Sequence, residues 1–551
     1  MLRISLILAM LFSLLAGAFY WSYSTRGQRA DFTFINRGEI GTLDPNRMSW
    51  VQDIRVGYAL WEGLYALDPQ TLTPVPGCAG AIDISPDKRI YTFHIRKEAR
   101  WSNGDLLTAS DFVFAWRRML EQPGDYTYLF HSIRGAKQYQ QDFAAARKAG
   151  LAAPDLATVG ILAADSHTLR VELEHPVTYF PDICAFTPFW PLHEASMKAF
   201  YEPQAGTYGK RFTRPPNLVT NGPFRLASWT FREKLGLKAN EFYWDRANVR
   251  SKSIDVIIGP EAMWSFLKYD SGAVDWLTDA AGAIGAELQA SGRSDLHVSP
   301  GFGTYMYKLN CQPTLPDGTK NPFADKRVRR AFSLAIDRCG IVKTITRLGE
   351  RTASTFVPPG VFKGYVSPKG VDLDVAEAQR LLTEAGYPGG QGFPPVKIMY
   401  NSEFHHGDVA QYIRRQWLDT LGVDVGLEPL EIKVFRQQLH STQFSIARGS
   451  WTGDYNDVST FLDCYRSGSE NNDTGWSDPA YDALMDQAAK EPDQGKRLSL
   501  FNEAEQLLMD EQPIIPLYHD VLAYLFRDNV KGLYMHPRNM VMFKTVEVQK
   551  R

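Results

Sequence analysis

From residue 31 to the end, short alternating apolar runs and longer helically spaced runs follow one another with no fixed repeat and no low-complexity linker. That interleaving is what most restricts the fold. Alternation typical of half-buried strands occurs in residues 31–36, 91–95, 169–173 and 305–309, and 254–258 reads as a buried strand. Helical spacing links Phe112, Trp116 and Leu120, then Val328, Phe332 and Ile336, then Val409, Ile413, Trp417 and Leu421 up to Gly422. Strand signals return at Val423 to Leu427. Thr108 with Asp111 and Asp374 with Glu377 have the spacing of capping boxes. Such mixing predicts α/β or α+β domains assembled from discontinuous segments. At 551 residues the chain is too long for one small core, and two to four domains are expected.

The balance of charges narrows the function. With 60 Lys and Arg against 62 Asp and Glu, the chain has no electrostatic footprint for nucleic acid. Five scattered cysteines form no Cys-x-x-Cys pair and no zinc spacing, and their odd number leaves at least one thiol unpaired within a monomer. At the N-terminus, Arg3 precedes an apolar run from Ile4 to Tyr20 that holds Ala16-Gly17-Ala18, the small-x-small form of a signal-peptidase site. Residues 1–25 are therefore expected to direct export. The alternative is an uncleaved anchor, with Tyr20, Trp21 and Tyr23 at the membrane interface. Either way the rest of the chain is expected to work outside the cytoplasm.

A search for catalytic machinery returns little. Gly-x-Ser-x-Gly, His-Glu-x-x-His and the phosphate loop are all missing. His405-His406 with Asp408 is the best metal-like group, but adjacent side chains diverge on either a strand or a helix, so no metal site is assigned. No cofactor is expected. Residues 447–457 attract more interest, because Arg448, Gly449, Trp451, Gly453, Asp454, Asn456 and Asp457 crowd together there. Glycine admits a ligand backbone, an indole gives apolar cover and an aspartate can meet a cation. Gly-Asp-Tyr-Asn is equally good turn chemistry.

Several passages together resemble the dipeptide/oligopeptide-binding family of solute-binding proteins of ABC importers. They are residues 91–105 with 107–113, Thr42-Leu43-Asp44-Pro45, Trp61-Glu62-Gly63-Leu64, residues 220–224, residues 328–338, residues 381–387 and residues 513–518, all in the family's order. The resemblance implies an α/β, two-lobed clamshell with an extra domain inserted in lobe one and two hinge strands. Lobe one would comprise 31–61, 213–302 and 516–551, the inserted domain 62–212 and lobe two 303–515. It further implies a monomer outside the cytoplasm that captures short peptides and passes them to a membrane ABC permease.

Residue by residue, the resemblance gives Asp454 the peptide's α-ammonium. It sets the main chain of Gly449 to Thr452, and of Ser49-Trp50-Val51 opposite, alongside the peptide, with Trp451 and Trp50 walling side-chain pockets. Arg448 and one of His405 or His406 match positions that meet the peptide carboxylate. Two departures stand out. A second basic residue expected nine positions before Arg448 is Leu439, and the cysteine pair of the oligopeptide-binding branch is replaced by Gly303 and Thr452. Two other readings stay open: the same fold with a non-peptide ligand such as a nickel complex, haem or a sugar, and an exported hydrolase.

Overall fold

A computed structural model describes residues 29–280 and 283–550. The N-terminal apolar run, and with it the expected signal or anchor, lies outside the described residues. Among the described residues no helix is long and apolar enough to cross a membrane.

One large mixed sheet runs through the molecule. Its order is Phe224–Thr230, Lys234–Ala239, Ser253–Ile258, Phe32–Asn36, Trp276–Leu277, Ile514–Phe526, Leu296–Leu309, Ile446–Thr452, Lys397–Asn401 and Gly426–Leu430. A separate antiparallel sheet of Ala79–Ile84, Ile90–Ile95, Thr168–Glu172 and Ile161–Asp165 belongs to the inserted domain. One core, with Phe32, Phe34, Trp61, Trp101 and Trp116, serves lobe one and the insert; others, around Trp417 and around Phe461, serve lobe two.

The two lobes are joined by the long antiparallel strands Leu296–Leu309 and Ile514–Phe526. Their lobe-one ends pair from Leu296↔Leu525 to Pro300↔Val521, and pairing resumes at Thr304↔His519 on the lobe-two side. Register is broken between, at Gly301 to Gly303 opposite Asp520. A Cβ on Gly303 would come within 2.4 Å of an Asp520 carboxylate oxygen, so glycine is needed where the ladder opens. These are the hinge strands.

Local sequence accounts for the elements that flank the cleft. Thr108 and Asp111 close a capping box on helix Ala109–Glu121, whose Phe112, Trp116 and Leu120 are fully buried. Asp374 caps helix Val375–Glu384 through the amide of Glu377. Helix His406–Leu421 buries Val409, Ile413, Trp417 and Leu421 and stops at Gly422, which is left-handed at φ 71°. The strand expected at Val423 to Leu427 begins three residues later, at Gly426. Val423 and Val425 are spent filling the core under the helix end, and Pro429 is tolerated because this strand is the sheet edge.

All five cysteines are free thiols; Cys78, Cys184 and Cys464 are buried. Gly303 and Thr452, the two positions at which the resemblance implies a cysteine pair, are direct cross-strand partners. Both small replacements fit that pairing.

Candidate functional site

Strand Ile446–Thr452 is the platform of the cleft. One edge pairs with the hinge strand along its whole length, from Leu309↔Ile446 to Gly303↔Thr452. On the other edge, strand Lys397–Asn401 reaches only Ile446 and Ala447. Among the described residues no strand pairs with Gly449 to Thr452 on that side, so a short row of backbone N–H and C=O groups is left for another extended chain. Trp451 donates its indole N–H to the Thr460 carbonyl at 2.7 Å and packs against cores of both lobes. At Gly453 the strand turns past Phe302, with room for no side chain: a Cβ there would lie 2.2 Å from the ring.

Beyond the turn the chain buries an acid. Asp454 is only 8% exposed. Its Oδ1 accepts from the Tyr126 hydroxyl at 3.1 Å, its amide donates to Thr460 Oγ1 at 2.9 Å, and its carbonyl accepts from Arg538 at 3.3 Å. Oδ2 is buried and has no hydrogen-bond partner. Burial pushes the carboxyl up to about 7, against smaller downward pulls from Tyr126 and Arg538. The loop is held in place from both sides. Tyr455 stacks on Tyr179 of the insert at 4.7 Å, and Asp457 receives both ends of Arg497 at 2.6 and 2.8 Å. The hydroxyl of Tyr128, next but one to Tyr126, is also buried without a partner, and it lies near enough for the Asp454 charge to act on it.

The other end of the strand is cationic. Arg448 lies against the ring of Tyr305, 5.3 Å from its centroid, with one nitrogen 3.3 Å from Ser450 Oγ and a buried Nε that has no partner. Arg37, from lobe one, stacks on Phe404 of lobe two at 3.2 Å and pairs with Asp279 at 2.7 Å. His405 bonds the Tyr518 hydroxyl at 2.9 Å and His406 that of Tyr305 at 3.1 Å. Burial, helped by Arg37 and Arg448, pushes His405 down to about 4; burial and Arg448 push His406 far below its ordinary value. Both shifts favour the neutral imidazole, leaving the guanidinium groups as the main positive charges here. Asp520 in the hinge is pushed up to about 6 by burial, against the downward pull of Arg448 and Arg37.

The structure thus brings Arg448, Gly449, Trp451, Thr452 and Asp454 onto one strand and its turn, with His405 and His406 beside Arg448. Of the expected extended stretch Ser49-Trp50-Val51, Trp50 is the extended N-cap and Val51 already the first residue of helix Val51–Leu60, because the Trp50 carbonyl accepts the Asp53 and Ile54 amides. Trp50 lies under the Arg436 guanidinium at 3.2 Å. Leu439 faces a small core with Met399, Phe435, Phe444 and Ala447, away from the cleft. Residues that sequence reasoning did not find are Tyr126, Tyr128, Arg37, Arg436 and Arg538. Each reaches the cleft from a segment with no local signature. No group of three or more potential metal ligands occurs among the described residues.

A buried cleft between two hinged lobes, with one acid at one end and guanidinium groups at the other, defines a solute-binding clamshell. The chain belongs to the bacterial extracellular solute-binding proteins, family 5, whose model matches residues 73–473. It is 32% identical to the oligopeptide-binding protein OppA of Bacillus subtilis over 485 residues, 86% of this chain and 84% of that one. The Escherichia coli murein tripeptide binding protein MppA superposes with a TM-score of 0.85 at 29% identity, covering 95% of this chain and 99% of that one. Against an unliganded open form of MppA, again at 29% identity and covering 95% and 98%, the TM-score falls to 0.65. In this chain Tyr126 meets Asp454 and Arg436 meets Trp50 across the cleft.

Proposed function

We propose that this chain captures short peptides between its lobes outside the cytoplasm and delivers them to an ABC permease, working as a monomer. The observation that carries this reading is the unpartnered buried Oδ2 of Asp454. A buried carboxylate without a counterion is costly, and the ammonium of a peptide supplies the charge and the hydrogen bond that the site lacks. With its N-terminus at Asp454, a peptide runs antiparallel to strand 446–452 and bonds the open edge of Gly449 to Thr452.

Main-chain pairing is indifferent to side chains, so this part of the affinity comes without sequence choice. Trp451 and Trp50 wall the side-chain pockets, Ser49 and Val51 flank the peptide from lobe one, and Arg448 takes the carboxylate. His405 and His406, bonded to the Tyr518 and Tyr305 hydroxyls, lie beside Arg448 where one of them can donate to the peptide carboxylate. Lobe limits at 303 and 516 and an inserted domain over 62–212 complete the reading, with residues 1–25 as a cleaved export signal.

Mass spectrometry of ligand released from protein purified out of its native host tests the proposal. A ladder of short peptides is the expected result. A single non-peptide species would contradict it. N-terminal sequencing of the mature protein separates a cleaved signal from a retained anchor.

A further inference from the structure

Helix Ile432–His440 turns Phe435 and Leu439, four residues apart, into the core with Met399 and Ala447. That face of the helix therefore presents no basic group at Leu439. Arg436, one turn earlier, projects from the helix on the cleft side and covers Trp50 of the opposite lobe at 3.2 Å from the ring centroid. Stacking occupies the face of a guanidinium and leaves its in-plane donors free. The Nε of Arg436 is buried and has no partner.

Arg448 lies 5.3 Å from the Tyr305 ring centroid, with one nitrogen 3.3 Å from Ser450 Oγ and its buried Nε unpartnered. Neither Arg436 nor Arg448 has a described carboxylate within ion-pair distance, whereas Arg37 is already held by Asp279. Asp53, Glu403 and Glu431 act on Arg436 only from a distance. Asp53, whose carboxyl burial pushes up to about 7 while it accepts the Gly41 amide at 2.9 Å, offsets only part of the Arg436 charge. The two guanidinium groups lie near enough that Arg448 weakens the proton affinity of Arg436. Two mutually repelling, aromatic-backed guanidinium groups at one end of the cleft, each with a buried Nε that has no partner, suit a ligand carrying two negative charges.

We propose that Arg436 supplies the second cationic group of this cleft and that, with Arg448, it selects peptides whose C-terminal residue is itself acidic. Arg448 takes the α-carboxylate and Arg436 the side-chain carboxylate. The inference rests on the peptide reading above and adds a specificity to it.

Calorimetric titration with two-, three- and four-residue alanine-based peptides ending in Glu or in Gln tests it. The Glu-ended peptide of the preferred length should bind about tenfold or more tighter than its Gln partner. In Arg436→Gln that ratio should collapse to within about threefold, while a circular-dichroism spectrum and a thermal melt matching the wild type show that the variant is folded. If Arg436→Gln loses both peptides, Arg436→Met, which keeps the stack on Trp50, is held to the same criterion. Equal binding of Glu- and Gln-ended peptides by the wild type, or a ratio that survives either substitution, overturns the selectivity and leaves the peptide reading intact. Failure of all six peptides to bind overturns both.

Discussion

The two ends of the cleft solve opposite problems. At one, a single carboxylate is buried, fixed on a tight turn and braced by Tyr126, Thr460 and Arg538, with one oxygen left over. At the other, Arg37, Arg436 and Arg448 come from both lobes, lie on aromatic faces and have long flexible stems. Every peptide presents the same ammonium at its N-terminus, so one rigid acceptor suffices. Its C-terminus falls at a distance that varies with length, and a spread of adaptable cations suits that. The acid end sets position; the guanidinium end sets preference.

Removing the acid should break the comparison most severely. Asp454→Asn is expected to weaken binding of free-amine peptides about a hundredfold, since a buried charge loses its partner. The same substitution should stabilise the ligand-free protein. The folded carboxyl is raised to about 7 from an ordinary value near 3.8, so its burial is cost-free only below about 3.8. The penalty grows as pH rises through about 7, reaching roughly 4 kcal/mol above it, and Asn removes it. Thermal melts of apo protein at pH 8 measure this, and an unchanged or lowered midpoint would count against an unpaired charge.

Next comes pH. Binding an ammonium favours ionised Asp454, so the bound carboxyl titrates lower than the free one. Affinity should be greatest at about pH 7 to 8, fall by about tenfold per unit just below about 7, and fall again above about 8 as the peptide's α-ammonium loses its proton. Titrations from pH 8 to 5 read the slope directly, and affinity independent of pH would remove the linkage.

Arg448→Gln should cost about tenfold in affinity, and the wild-type contribution should shrink with added salt because this end is only partly buried. A C-terminally amidated peptide should be insensitive to the substitution. The smallest effect is expected at His405. As the imidazole is neutral across the working range, His405→Gln should change affinity by less than about threefold and leave the pH profile alone. A larger loss confined to low pH would show a charged histidine at work.

Much of the scaffold was readable because local chemistry and tertiary environment agree. The capping box at Thr108 and Asp111 and the apolar stripe from Val409 to Leu421 sit where their spacing puts them. The strand after Gly422 starts late because Val423 and Val425 serve the core before the ladder begins, and nothing local distinguishes those two uses of valine. At the site, residues 447–457 stood out by composition, and the family resemblance assigned Asp454 a role. Tyr126 stays hidden in sequence because it meets Asp454 across 328 positions. Arg436 is hidden for a different reason: on an amphipathic helix an arginine reads as solvent-facing, and only the opposite lobe's Trp50 turns it into a cleft residue.

The most direct test of the account is a thermodynamic cycle at Asp454. One peptide, free or N-acetylated, is titrated calorimetrically into the wild type and into Asp454→Asn at pH 8. The account predicts that acetylation and substitution each weaken binding by about a hundredfold and that, once either is made, the other adds less than about threefold. Free and acetylated peptides binding the wild type equally, or two losses that simply multiply, would show that the ammonium is held elsewhere.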